Sequence, residues 1–350
     1  MSRFFSKRLS DLAPYVPGEQ PQDMKYIKLN TNESPYPPSP KVTAAIEAEI
    51  NQLNLYPDPE CKKLNQAIAK TIGVDEDMVF SGNGSDEVLA FCFMAFCDDE
   101  TGVSYPDISY GFYPVYKELF CLDGKAIPLA EDFSVNSDDY IGLGRTIFIA
   151  NPNAPTGLSL SLADIEKILQ GNKDNIVVID EAYVDFGGET AAMLTYKYDN
   201  LIVVRTFSKS RNLAGGRIGF AIASKELISE INRIKFSFNP YNEDRLAIAA
   251  GIAAMEDKEY FEKCTSEIIK TREYTSAELS KLGFYVIPSS TNFIFVRNDK
   301  KDGKTLYEEL KKRGILVRHF GSERIKDFVR ITIGTKDQME ALVCAVKEII

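Results

Sequence analysis

The sequence predicts an α/β protein: a large domain with a mostly parallel sheet covered by helices on both faces, plus a smaller α+β domain. Three observations carry this. The chain has 350 residues, too many for one ordinary core and about right for two. Short apolar runs at 146–150, 176–179, 201–204 and 218–223 alternate with helical or loop-forming sequence, as crossover units of a parallel sheet do. After Tyr241 the character changes to alanine-rich and long amphipathic helical patterns, with shorter strands between helices.

Taken in order, residues 1–36 are proline-rich and poorly periodic, and are expected to pack with the small domain. Residues 37–257 are expected to form the large domain. There 41–53 and 86–97 carry helical spacing, and Ser161 is an N-cap candidate for a helix over 161–169. Residues 258–350 are expected to hold a connecting helix (258–282) and the small domain, with strands at 292–296, 315–319 and 328–333. A helix at 242–255 precedes that boundary.

Hydrophobic residues make up 44% and charged residues 26%, the balance of a soluble globular chain. A net charge of −10 with no basic stripe argues against nucleic acid and anionic membranes as partners. The most apolar run, 88–97, is about half a bilayer span. Six cysteines without a C-x-x-C pair, and a single histidine, His319, argue against a metal site and fit a reducing compartment. The opening Met1-Ser2-Arg3-Phe4-Phe5 lacks a signal-peptide pattern, so a cytoplasmic location is expected.

Four clusters could carry chemistry. Arg205-Thr206-Phe207-Ser208-Lys209-Ser210 follows an apolar strand, with Gly215-Gly216-Arg217 soon after. Shielding a strand-end lysine from water favours its neutral, nucleophilic amine; the plainer reading is a solvated lysine. Asp180-Glu181-Ala182-Tyr183 follows another strand, where parallel sheets build their ligand crevice. A carboxylate buried there needs a cation, such as a protonated ring nitrogen, unless it simply caps a helix. Asn151-Pro152-Asn153-Ala154-Pro155-Thr156-Gly157 is either a polar turn or a source of donors to a phenolate oxygen. Gly82-Asn83-Gly84-Ser85-Asp86-Glu87 opens a helix and suits a phosphate, although it is neither a dinucleotide fingerprint nor a P-loop.

Asn-Pro-x-x-Pro-Thr-Gly, then a strand ending in Asp-Glu-Ala-Tyr, then Ser-Lys and a following arginine resembles the fold-type I aminotransferases. The openings Leu12-Ala13-Pro14-Tyr15-Val16-Pro17-Gly18 and Lys28-Leu29-Asn30-Thr31-Asn32-Glu33-Ser34-Pro35-Tyr36 resemble the histidinol-phosphate aminotransferase family, and the likeness runs nearly end to end.

The resemblance implies pyridoxal 5'-phosphate as cofactor. Lys209 would condense with its aldehyde and shuttle the proton between Cα and C4′, and Asp180 would pair with the pyridine nitrogen. Tyr183, with Asn153 standing in for the family's asparagine at Ala154, would contact the phenolic oxygen. Tyr110 would stack on the ring. Gly84, Ser85, Asp86, Ser208 and Arg217 would hold the phosphate. Tyr56 would reach the neighbouring subunit's site in a homodimer, unless it packs on its own chain. Tyr15, Asn32, Arg318 and Arg330 would bind substrate, the arginines gathering an anion unless they form structural salt bridges. The implied substrates are a phosphorylated amine, L-histidinol phosphate, and the 2-oxo acid 2-oxoglutarate; the products are imidazole-acetol phosphate and L-glutamate. An aromatic amino acid aminotransferase or a threonine-phosphate decarboxylase shares the cofactor residues and remains the alternative.

Overall fold

Strands buried at every position need cover on both faces, and the central strands of this chain receive it. The structure, a computed structural model, describes residues 2–10 and 12–350. Its strands run as β1 (Ile27–Lys28), β2 (Val79–Gly82), β3 (Val103–Pro106), β4 (Gly124–Ile127), β5 (Thr146–Ala150), β6 (Val177–Asp180), β7 (Leu201–Thr206) and β8 (Gly219–Ala223). Then come β9 (Phe284–Ile287), β10 (Phe293–Asn298), β11 (Ile315–Leu316), β12 (Arg318–His319) and β13 (Phe328–Thr332).

One seven-stranded sheet has the order β2-β8-β7-β6-β5-β3-β4. Only β8 runs antiparallel to its neighbours, so the sheet is mostly parallel, as expected. Alternate residues of each strand enter different cores. Ile147, Ile149, Val177, Ile179, Leu201 and Val203 share one with helices Pro40–Glu49, Lys62–Ile72, Leu162–Gly171 and Arg245–Glu256. Phe148, Val178, Ile202 and Val204 share the other with helices Gly84–Phe96, Phe112–Leu119 and Lys225–Phe238. Ser161 caps its helix by accepting from the Asp164 amide at 3.1 Å.

The second sheet, β12-β13-β10-β9, is antiparallel. Its apolar face packs on helices Lys258–Lys281, Gly303–Lys312 and Lys336–Ile349 through Ile268, Leu279, Leu306, Leu310 and Leu342. The segment around β1 is stitched to these elements: β1 pairs in parallel with β11, the Leu29 amide donates to Leu316 O at 2.8 Å, and the Thr332 amide to Leu29 O at 3.0 Å.

Two expectations change. The strand expected over 315–319 is two, because the chain leaves β1 at Leu316 and joins β13 at Arg318. The helix expected from residue 86 begins at Gly84, whose φ of +81° turns the chain out of β2 and suits a residue without Cβ.

Candidate active site

Strands β5, β6 and β7 end side by side, with Ala150 opposite Asp180 and Asp180 opposite Val204. The loops that follow them therefore meet in one crevice at the carboxyl edge of the sheet. Asp180 sits at its floor, 4% exposed. Its Oδ2 accepts from Tyr113 Oη at 3.0 Å and its Oδ1 from the Ala182 amide at 3.1 Å, but no cation pairs with it among the described residues. Burial pushes its carboxyl up to about 6, against the pull of those two donors.

That shift has a sign. Well below pH 3.8, the ordinary value, the carboxyl is neutral in both folded and unfolded chains. As the pH rises from 3.8 to about 6, the unfolded chain ionises this carboxyl in water while burial makes the folded protein hold its proton. Stability is lost across that window, on the order of 2–3 kcal/mol for this group. Cofactor-free Asp180→Asn protein is expected to melt above wild type at pH 7.5, with the gap closing near pH 4; thermal melts at the two pH values check it.

A cavity of about 350 Å³ lies above Asp180, lined among others by Ser85, Tyr183, Ser208, Lys209 and Arg217. At one end the helix Gly84–Phe96 points its N-terminus at the cavity, presenting Ser85 and Asp86. The backbone is packed too closely there for a side chain at Gly219, whose Cβ would stand 2.3 Å from Ser85 N, and a Cβ on Gly84 would meet the Arg217 guanidinium at 2.5 Å. Arg217, at φ 51°, binds Asp86 Oδ2 at 3.1 Å, and Tyr110 donates its hydroxyl to Asp86 Oδ1. The Ser208 amide and hydroxyl are both tied to Thr206 Oγ1, at 3.1 and 3.0 Å. Helix terminus, guanidinium and hydroxyl together offer the kinds of donor that a phosphate takes, with Asp86 holding the guanidinium in the ligand-free chain.

Lys209 reaches the same cavity from the loop after β7. Its Nζ lies 3.5 Å from Thr31 O and 5.7 Å from the centroid of the Tyr183 ring. Tyr183 Oη accepts from Asn32 Nδ2 at 2.9 Å. Asn32 is itself held at φ 55° by Thr332 and Asn292.

Beyond Lys209 a second cavity, of about 440 Å³, shares Tyr110, Tyr183 and Lys209 with the first and adds Tyr15, Arg318 and Arg330. Arg318 and Arg330 are direct partners across β12 and β13, so both leave the same face of the sheet. Like charges placed opposite on paired strands repel. Neither forms an ion pair with a carboxylate among the described residues; the structural salt-bridge reading of both is set aside. Arg330 Nη2 donates to Asn30 O at 2.9 Å, its guanidinium lies 5.3 Å from the Phe293 ring, and its buried Nε has no partner. Among the described residues Arg318 hydrogen-bonds only Pro17 O and Val16 O, each at 3.3 Å. Two unneutralised arginines facing one cavity form an anion site.

The family model for class I and II aminotransferases matches residues 24–346. The chain belongs to that family. Histidinol-phosphate aminotransferase of Brachyspira hyodysenteriae is 52% identical over 352 residues, covering 100% of this chain and 99% of that protein. That of Clostridium acetobutylicum is 52% identical over 351 residues, covering 100% of each. A solved histidinol-phosphate aminotransferase from Sinorhizobium meliloti in complex with pyridoxal-5'-phosphate shares the fold, with TM-score 0.91 at 24% identity over 100% of this chain and 98% of that one.

In this aminotransferase not every residue singled out from sequence reaches the crevice. Asn153 lines neither cavity. Both hydrogens of its Nδ2 are used, by Ile108 O and Thr156 Oγ1 at 3.0 Å each, and its Oδ1 accepts from Ser109 Oγ at 2.7 Å. It has no donor left for a ring oxygen, and the neighbour that faces the cavity is Ala154. The Asn153 expectation is corrected accordingly. Tyr56 is 79% exposed, stacked on Tyr241 at 4.6 Å, and outside both cavities of its own chain. His319 turns away, its Nε2 2.8 Å from Lys326 O. Tyr113, the side-chain donor to Asp180, was missed: in Tyr110-Gly111-Phe112-Tyr113 only the first tyrosine was singled out. Phe112, the ring beneath Tyr15 at 4.3 Å, was missed for the same reason.

Proposed function

We propose that this chain uses pyridoxal 5'-phosphate to transfer the amino group of L-histidinol phosphate to 2-oxoglutarate, a step of histidine biosynthesis. The observation that carries the reading is the joined pair of cavities: a lysine and an unpaired buried carboxylate in one, two unneutralised arginines in the other. The full-length relatives at 52% identity support the same substrate.

Asp180 tests the fit of the cofactor. A carboxylate so buried lacks only a cation, and a pyridinium nitrogen is one. Gly84, Ser85, Asp86, Ser208 and Arg217 would hold the phosphate, Tyr110 the ring face and Tyr183 the phenolic oxygen. When bound, the group supplies a sink for the electrons released as Cα loses its proton. Lys209 Nζ would anchor the cofactor and would take and return the Cα proton. Asn32 orients the Tyr183 hydroxyl. Arg330 and Arg318 bind the substrate phosphate or a 2-oxoglutarate carboxylate, and Tyr15 on Phe112 closes that end against water.

The division into residues 1–36, 37–257 and 258–350 belongs to this reading, supported by separate apolar cores for the two sheets. So does a homodimer, supported by exposed Leu53, Leu55, Tyr56 and Tyr241, with Tyr56 reaching the partner's site. The proposed location is the cytoplasm, which suits six free cysteines. No helix among the described residues is long and apolar enough to cross a membrane.

A coupled assay with L-histidinol phosphate and 2-oxoglutarate tests the substrate. Turnover is expected there, with phenylalanine and threonine phosphate much poorer. Preference for either of those defeats the substrate assignment.

A further inference from the structure

A group of charged and hydroxyl side chains that the chemistry above leaves unused lies directly behind Asp180 and Lys209. Glu181 follows Asp180, Asp185 stands in the next turn, Arg205 lies in β7, and Ser210 follows Lys209. Arg205 binds Asp185 Oδ1 and lies 4.0 Å from Glu181 Oε2. Ser210 Oγ donates to the other oxygen, Asp185 Oδ2. Glu181 is pinned in turn by Thr190 Oγ1 at 2.6 Å and the Ala191 amide at 2.5 Å. Arg211 completes the group, its guanidinium 3.7 Å from the Phe261 ring centroid and bonded to Ala254 O at 3.0 Å.

Asp185 thus divides its two oxygens between strand β7 and the residue beside Lys209. The lysine side chain has little of its own to aim it, although Ser208 before it is tied to Thr206. Its amine makes one 3.5 Å contact, and its loop is closed by backbone bonds Asn212 N to Lys209 O at 3.3 Å and Leu213 N to Phe207 O at 3.0 Å. Proton transfer is sensitive to displacements of an ångström. The geometry points to Asp185 as a positioning residue that, through Ser210, ties the lysine loop to the turn following Asp180 and so sets where Lys209 Nζ stands. A partly enclosed ion pair is a weak source of stability but an effective source of one fixed arrangement.

The inference rests on the proposed function, and its test separates the two. Ser210→Ala removes the hydroxyl link and keeps every charge; Asp185→Asn serves as the second variant. Holoenzyme of each is compared with wild type in kcat and KM, using whichever amino donor wild type accepts. The pH at which the visible band of the resting, substrate-free holoenzyme changes is read alongside, as are thermal melts. The titratable and charged groups around Lys209 are Asp180, Glu33 and Tyr183, with Asp86 and Arg217 in the first cavity, Arg318 and Arg330 in the second, and Asp185, Arg205 and Arg211 behind its loop; Ser210→Ala alters none. The expected result for Ser210→Ala is a kcat lower by about 10- to 100-fold, KM within about threefold, and a displaced midpoint. Wild-type kcat or a wild-type midpoint in that variant overturns the inference, whatever its melting temperature. A wild-type protein that binds cofactor but ignores histidinol phosphate overturns only the substrate reading.

Discussion

Lys209→Ala protein is expected to fold and to lose turnover by at least about 10,000-fold, together with the visible absorption that cofactor gives the wild type. Folding survives because the lysine carries little of the structure. It forms no ion pair among the described residues, and its amine makes a single long contact to Thr31 O at 3.5 Å, so truncation leaves no buried partner orphaned. Turnover does not survive, because a positioned base contributes roughly 100- to 10,000-fold on its own, and the same amine also anchors the cofactor. Absorption during cofactor titration and the coupled assay read the two losses separately. A variant that keeps both would remove Lys209 from the chemistry.

The second large effect falls on the other cavity. Arg330→Leu is expected to lower kcat/KM for histidinol phosphate by about 100- to 1,000-fold, as removing one partner of an enclosed, charge-assisted contact does. The ligand-free protein should be no less stable than wild type. Arg330 stands opposite Arg318, has no carboxylate partner, and leaves its Nε unsatisfied; burial holds its pKa below the ordinary guanidinium value. Leucine removes a charge that the ligand-free fold accommodates at a cost. With the first cavity already filled by cofactor, inorganic phosphate should raise the melting temperature of wild type more than that of the variant. A variant that melts well below wild type while keeping kcat/KM would make Arg330 a structural residue.

Much of this could be read from residue order. Lys209 and Asp180 announce themselves because each comes at or soon after the end of an apolar run, 201–204 and 176–179, and polar residues at such ends have few places to go but the crevice. The pairing of Arg318 with Arg330 was not readable in that way. It depends on register between β12 and β13, and the chain changes sheets at Val317, which no local pattern marks. Asn153 shows the opposite failure. Its residue type suits a donor to a ring oxygen, but in a turn the direction of a side chain is set by which neighbours claim its hydrogens, and Ile108 and Thr156 claim both. Tyr113 was hidden because a tyrosine at helical spacing among apolar residues looks like core. It is core, and it is also the donor that keeps Asp180 from being pushed up further. The four-residue strands β2, β3 and β4 are too short for periodicity to separate from loops, and β4 is half exposed at the sheet edge.

Borohydride reduction of the cofactor-loaded protein, followed by proteolysis and mass spectrometry, asks most directly whether one amine above one buried carboxylate performs the chemistry. The expected result is a phosphopyridoxyl group fixed to the peptide bearing Lys209, lost in Lys209→Ala and formed at much lower occupancy in Asp180→Asn. A group fixed to another lysine, or none at all under conditions that saturate the protein with cofactor, contradicts it.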